Sequence, residues 1–153
     1  MRKLGRRLFT AALAACAVSL AVGVPSRAAA QQATVTEIST EQLQKLLEGM
    51  GYEVEEPKED VLRFGIEGHS ALIINKKTNI QFYSFFKKKA DVQKMNEWNR
   101  AKRFSRVYID GDGDPVIEWD LDLEGGTTLG AVKESIRTYR LAVVTFAQFL
   151  NED

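Results

Sequence analysis

Cysteine is almost absent. The one cysteine among 153 residues, Cys16, lies in an N-terminal segment that reads as removable, so the mature chain offers neither a disulfide framework nor a thiolate metal site. Histidine is equally scarce. His69 stands alone in a predicted turn, where it reads as solvated, and without a second imidazole there is no zinc-type ligand set. No Gly-x-Ser-x-Gly elbow presents a nucleophile, and no glycine-rich loop is spaced to cradle a phosphate. Internal repeats and low-complexity tracts are missing too. With no recognisable catalytic or cofactor motif, the chain reads as a non-enzyme with no cofactor and no metal.

What is present begins with a signal. Arg2, Lys3, Arg6 and Arg7 precede an uncharged apolar run from Leu8 to Val24, followed by Pro25 and the small residues Ala28, Ala29 and Ala30. That is the order of a secretory signal peptide, and cleavage is expected after Ala30. The run is 17 residues long, short of the roughly 20 that span hydrocarbon, which argues against an uncleaved anchor. Leu13-Ala14-Ala15-Cys16 has the wording of a lipobox, but the apolar run continues past it to Val24. Gly5-Arg6-Arg7-Leu8-Phe9 loosely resembles a twin-arginine signal. The expected location is periplasmic or secreted, with no stable membrane insertion after cleavage.

Processing would leave Gln31–Asp153, a single-domain length carrying 16 basic and 21 acidic residues, a formal charge of −5. A mildly acidic domain has no electrostatic case for nucleic acid. Residues 31–38 read as a flexible leader and 39–153 as the domain. Ser39 with Gln42 forms a capping box, with Ile38 and Leu43 placed as a hydrophobic staple around it. Leu43, Leu46, Leu47 and Met50 recur at helical spacing, and Gly51 can end the helix in the left-handed conformation.

From Tyr52 to Phe86 the period changes to two, which predicts strands. Tyr52 and Val54 open the first, with Pro57 to Asp60 as a turn. Leu62, Phe64 and Ile66 line one face of the next, and Gly68-His69 connects it to a strand over 71–74. Ile80 to Phe86 is apolar enough to be covered on both faces. A second helix is expected from about Ala90 to Lys102. Arg106 to Asp110 and Val116 to Leu123 read as a hairpin, its second arm having Ile117, Trp119, Leu121 and Leu123 on a core face and Glu118, Asp120 and Asp122 on an acidic one. Thr127 or Thr128 caps a last helix with a long stripe through Leu129, Val132, Ile136, Tyr139, Val143, Ala147 and Leu150. Leu141 and Val144 lie off that stripe and leave a homodimer open. The fold class is α+β: an antiparallel sheet with helices on one face, in the order α-β-β-β-β-α-β-β-α.

Three features compete for function. Asp110-Gly111-Asp112-Gly113-Asp114 begins like an EF-hand calcium loop, but the sixth and twelfth places hold Pro115 and Leu121 instead of glycine and glutamate. A hairpin turn is the preferred reading, with weak calcium binding through Asp110 and Asp114 as the alternative. Charge is uneven: ten basic residues stand against Asp91 and Glu97 from Lys76 to Arg106, whereas Val107 to Glu124 holds seven acids and no base. That is solvated surface, or a dipolar surface that steers a charged partner. At about 100° per residue, Asn96 and Asn99 share a helix face with Val92 and Met95, and Trp98 lies at its flank. The asparagines then tie the helix to neighbouring backbone, and a ligand-facing Trp98 is the alternative.

The block Asn96-x-Trp98-Asn99, Arg103-Phe104-Ser105-Arg106, the Asp110–Pro115 hairpin, Asp120-Leu121-Asp122-Leu123, Gly125-Gly126 and the last helix resembles the YbjN domain family, as does Gly51-Tyr52-Glu53-Val54. Leu129-Gly130-Ala131 departs from the family pattern, where members usually open the last helix with acidic residues, and so does the signal, which many members lack. Members are labelled bacterial sensory transduction regulators, and the resemblance implies a fold similar to type III secretion chaperones. Together with the missing active-site chemistry it points to a non-enzymatic, exported protein-binding or chaperone-like regulatory module. Its apolar sheet and helix faces would meet a protein partner. The alternative is a small-ligand or weak calcium-binding envelope protein. The candidate binding residues are Asn96, Trp98, Asn99, Asp110 and Asp114.

Overall fold

The computed structural model describes residues 33–152, all within one compact unit, Gln31–Asp153. The expected signal peptide, Cys16 included, lies outside the described residues. In chain order the elements are β1 (Thr34–Val35), α1 (Thr40–Glu48), β2 (Val54–Lys58), β3 (Val61–Ile66), β4 (His69–Asn75), β5 (Asn79–Phe85), α2 (Val92–Ala101), β6 (Arg106–Ile109), β7 (Pro115–Asp122), β8 (Thr127–Thr128) and α3 (Leu129–Asn151). The expected order is therefore found, with a short β1–β8 pair added.

Local chemistry starts and stops these elements. Ser39 Oγ accepts from the Gln42 backbone N–H at 3.2 Å and Gln42 Oε1 accepts from the Ser39 N–H at 2.9 Å, so the capping box opens α1. Gly51, at φ +90°, turns the chain away after it. Asp91 caps α2 and Thr128 caps α3, each through a side-chain oxygen on the backbone N–H three residues on.

Six strands form one antiparallel sheet in the order β2-β3-β4-β5-β7-β6. Register sets Leu62, Ile73, Phe82 and Trp119 in one row across it. This face carries Phe64, Ile66, Ile80, Ile117 and Val107, all buried. It is covered by Leu43 and Leu47 of α1, Met95 and Trp98 of α2, and Val132, Ile136, Tyr139, Val143, Phe146 and Leu150 of α3. Each such side chain contributes about 1.5–3 kcal/mol by leaving water. Among the described residues no helix covers the other face.

The structure corrects several local expectations. Part of the leader is engaged: β1 pairs with β8, Ile38 is buried, its N–H donates to the Lys77 carbonyl, and Asn75 Nδ2 donates to the Ile38 carbonyl at 2.9 Å. Pro57 lies inside β2, tolerated because β2 is an edge strand with a register shift between Glu55 and Lys58. His69 begins β4 half-buried, its ring 5.2 Å from that of Phe86. The β3–β4 turn is Glu67-Gly68, both at positive φ, the geometry of a two-residue hairpin. On α2 the buried residues are Met95 and Trp98, whereas Val92 and Asn96 are exposed, because the helix docks over β6 and α3 by its tryptophan, with the Asn99 side chain turned to β6. On α3 Leu129, expected on the apolar stripe, is exposed at the helix start.

Candidate functional site

The helix-free face of the sheet is built from alternate residues of every strand. Around its β5–β7–β6 side, register makes Tyr83 and Arg106 the two cross-strand neighbours of Glu118, and Phe85 and Tyr108 those of Val116. Glu118 is only 3% exposed although nothing but its neighbours' side chains covers it. A buried carboxylate is costly unless paired, and here three donors converge on it. The Arg106 guanidinium binds Oε1, while the Tyr108 hydroxyl donates to Oε2 at 3.1 Å and Gln81 Nε2 donates to Oε2 at 3.3 Å.

Burial, then the hydrogen bond to Glu118 and its negative charge, pushes the Tyr108 phenol up to about 12. Tyr83 is raised as well, by burial first and then by the carboxylates of Asp110, Glu118, Asp112 and Asp114. Both phenols therefore keep their protons at neutral pH, and that of Tyr108 is donated to Glu118. Phe85 and Tyr108 are 38% and 37% exposed, Leu72, Ile74 and Tyr83 are half-buried, and Val116 is buried among them. Lys87 Nζ sits 5.2 Å over the Phe85 ring and binds Asp114 Oδ2 at 2.7 Å. The result is an aromatic and aliphatic surface on which Glu118 and Lys87 are already paired, with the exposed Asp120 and Asp122 at its margin. Such a surface suits contact with a protein, where apolar area is covered without stripping unpaired charge of water.

The residues singled out from sequence have more local employment. The Trp98 ring packs 5.0 Å from Phe146 and 5.5 Å from Phe149, and its indole N–H donates to Ser105 Oγ at 3.2 Å. At 2% exposure it faces the core, so the alternative of a ligand-facing Trp98 is overturned by its packing. Asn99 ties its helix to neighbouring backbone: Nδ2 donates to the Val107 carbonyl and Oδ1 accepts from the Val107 N–H, both at 2.9 Å. Asn96 is exposed. Asp110 Oδ1 accepts from the N–H groups of Asp112 and Asp114 at 3.0 and 2.9 Å, which is the hairpin chemistry of the turn. Among the described residues no group of three or more His, Cys, Asp or Glu is placed to hold a metal ion. No bond joins the α2 pair to the turn pair.

A family model named YbjN and described as "Putative bacterial sensory transduction regulator" matches residues 39–152. The chain belongs to the YbjN family. A chain of the ExoT–SpcS complex from Pseudomonas aeruginosa is similar in structure, with a TM-score of 0.51 at 12% identity, over 67% of this chain and 90% of that one. At that identity the likeness shows the fold alone, and the fold resembles that of a type III secretion chaperone, as the resemblance in sequence implied. No curated protein matches the sequence.

In this YbjN chain, sequence reasoning passed over Gln81, Tyr83, Phe85, Arg106, Tyr108 and Glu118. A signal existed. Arg106 and Tyr108 alternate on a short strand beside a hairpin arm whose Glu118 shares their parity, so two donors and one acceptor fall on one face.

Proposed function

We propose that this YbjN protein is a non-enzymatic, exported module that binds a protein partner in a regulatory or chaperone-like role. Family membership and the chaperone-like fold support the reading, and the similar chain is itself part of a two-protein complex. The observation that carries it is the helix-free sheet face, where Phe85 and Tyr108 stay exposed around a Glu118 that is already paired. The phenols are protonated and the carboxylate is saturated with donors, so the cluster is better suited to recognition than to proton transfer.

Crosslinking with mass spectrometry in the envelope fraction tests the reading. The expected outcome is one stoichiometric partner linked through Lys87, beside Phe85, and loss of that link in Tyr108→Glu. Scattered links with no stoichiometric partner, or substrate turnover, would overturn it. Export rests on the residues before Gln31, and N-terminal sequencing of the envelope protein is expected to begin at Gln31. No described helix is long and apolar enough to cross a membrane.

A further inference from the structure

Beyond Glu118 no described strand pairs with the outer edge of β7. β5 pairs with β7 along its length to Asn79↔Asp122, but β6 pairs with it only from Ile109↔Pro115 to Arg106↔Glu118. To continue the ladder, β6 would have to set Phe104 opposite Asp120. Phe104 instead has φ +62°, a left-handed conformation that bulky L side chains seldom adopt, and it carries the chain out of the sheet. Its ring is 65% exposed and stands 6.2 Å from that of Trp119. Between them lies a cleft of about 230 Å³ lined by Phe104, Ser105, Arg106, Glu118, Trp119 and Asp120.

The peptide groups at this cleft point outward. Both Val107 groups bond the Asn99 side chain, so they face away from β7, and those of Arg106 and Tyr108 face toward it. In an antiparallel ladder the matching groups of β7 belong to Val116 and Glu118, and two residues on, Asp120 and Asp122 point the same way. No strand among the described residues meets them. The adjoining β6 edge is closed at Val107 by the Asn99 side chain, and beyond Glu118 an open stretch of ladder remains at Asp120 and Asp122.

We infer that the edge of β7 at Trp119–Asp122 accepts an extended segment of a partner protein as an added strand, and that this segment carries basic residues at alternate positions. The inference rests on the protein-binding reading and names its chemistry. On the helix-free face the cross-strand neighbours of such a segment are Asp120, whose Oδ2 lies 3.8 Å from the exposed Arg106 guanidinium, and Asp122, both in a stretch of seven acids without a base. Opposite charges across a ladder attract, and alternate basic residues match the spacing of the carboxylates. On the other face the segment's apolar residues meet Trp119 and Phe104.

The probe is a short acetylated peptide alternating lysine and valine, titrated into the protein Gln31–Asp153 beside its glutamate counterpart and a version with N-methylated alternate amides. The lysine peptide is expected to bind in a salt-sensitive manner and to slow amide hydrogen exchange at Asp120. Asp120→Pro removes the outward N–H while Trp119 and Leu121 keep their bonds to β5, and it is expected to weaken binding by about tenfold or more. Asp120→Lys with Asp122→Lys, which keeps both N–H groups, is expected to reverse the preference to the glutamate peptide. Equal binding of the N-methylated peptide, or indifference to both variants, overturns the inference. A dimer of the free protein that Asp120→Pro dissociates also overturns it, by making a second copy the occupant. An envelope partner that crosslinks beside Phe85 and ignores Asp120→Pro sinks this inference while leaving the protein-binding reading standing. The absence of any partner removes that reading.

Discussion

The two halves of β7, Pro115-Val116-Ile117-Glu118 and Trp119-Asp120-Leu121-Asp122, each place acid on the helix-free face and end in different environments. Pro115, Val116, Ile117 and Glu118 are all buried, carboxylate included, whereas Trp119 and Leu121 are half-buried and Asp120 and Asp122 are exposed. The difference is the neighbour. The first half has β5 on one side and β6 on the other, while the second has β5 alone. Burial on a sheet is thus decided by the strand next door as much as by the residue itself. An acid flanked by Tyr108 and Arg106 becomes an interior group, and an acid two places on remains a surface one.

Substitutions along β7 can break or sharpen this contrast. Ile117→Ala is expected to cost about 2–5 kcal/mol by urea denaturation, and Leu121→Ala, on the same face in the half-covered stretch, clearly less. Equal costs would mean that the missing neighbour is energetically irrelevant. On the other face, Glu118→Ala should cost about 1–3 kcal/mol because it strands Tyr108 and Gln81 without their acceptor, against no more than about 0.5 kcal/mol for Asp120→Ala.

The seal on the covered half can be opened. Asn99→Ala removes both bonds to Val107 and is expected to cost about 1–2 kcal/mol, with faster exchange of the Val107 amide and none at residues 119–122. Protection of Val107 that survived the substitution would show that α2 shields the edge without its carboxamide.

The smallest expected effect is on pH dependence. Burial above all raises the Tyr139 phenol, opposed by its hydrogen bond with Ser84, and burial and Glu118 raise Tyr108 from 10.0 to about 12. A raised phenol binds its proton more tightly when folded, so this stability is complete below about pH 10 and is lost as pH rises through the folded values. Thermal unfolding is expected to show Tm falling above pH 10, and less steeply in Tyr139→Phe, whose hydroxyl lies 3.0 Å from Ser84 Oγ and 3.1 Å from the Ile117 carbonyl oxygen. An unchanged slope would place the alkaline loss elsewhere.

Much of the fold was legible because its signals are local. The capping box at Ser39, the glycine at Gly51, the period-two run from Leu62 and the apolar stripe of α3 each depend on neighbours a few residues away, and all four are found. The face of α2 was misread because Val92 looked like a core residue. A β-branched apolar side chain at the first turn of a helix is free to point to solvent when a tryptophan further along does the docking. The candidate site was hardly legible. Trp98, the residue most suggestive of a ligand, is spent in the core, while Glu118, Tyr108 and Gln81 come from three strands whose adjacency no short window contains.

By itself the sequence determined the α+β class, the order of the principal helices and strands, the helix caps and the absence of thiol chemistry in Gln31–Asp153, because these follow from residue type and short-range spacing. Only the tertiary structure decided that β7 sits between β5 and β6 for half its length, that Asn99 closes one edge, and that Phe104 leaves the next one open. Those outcomes depend on pairings made between distant parts of the chain, and spacing along the sequence carries no record of which strand lies beside which.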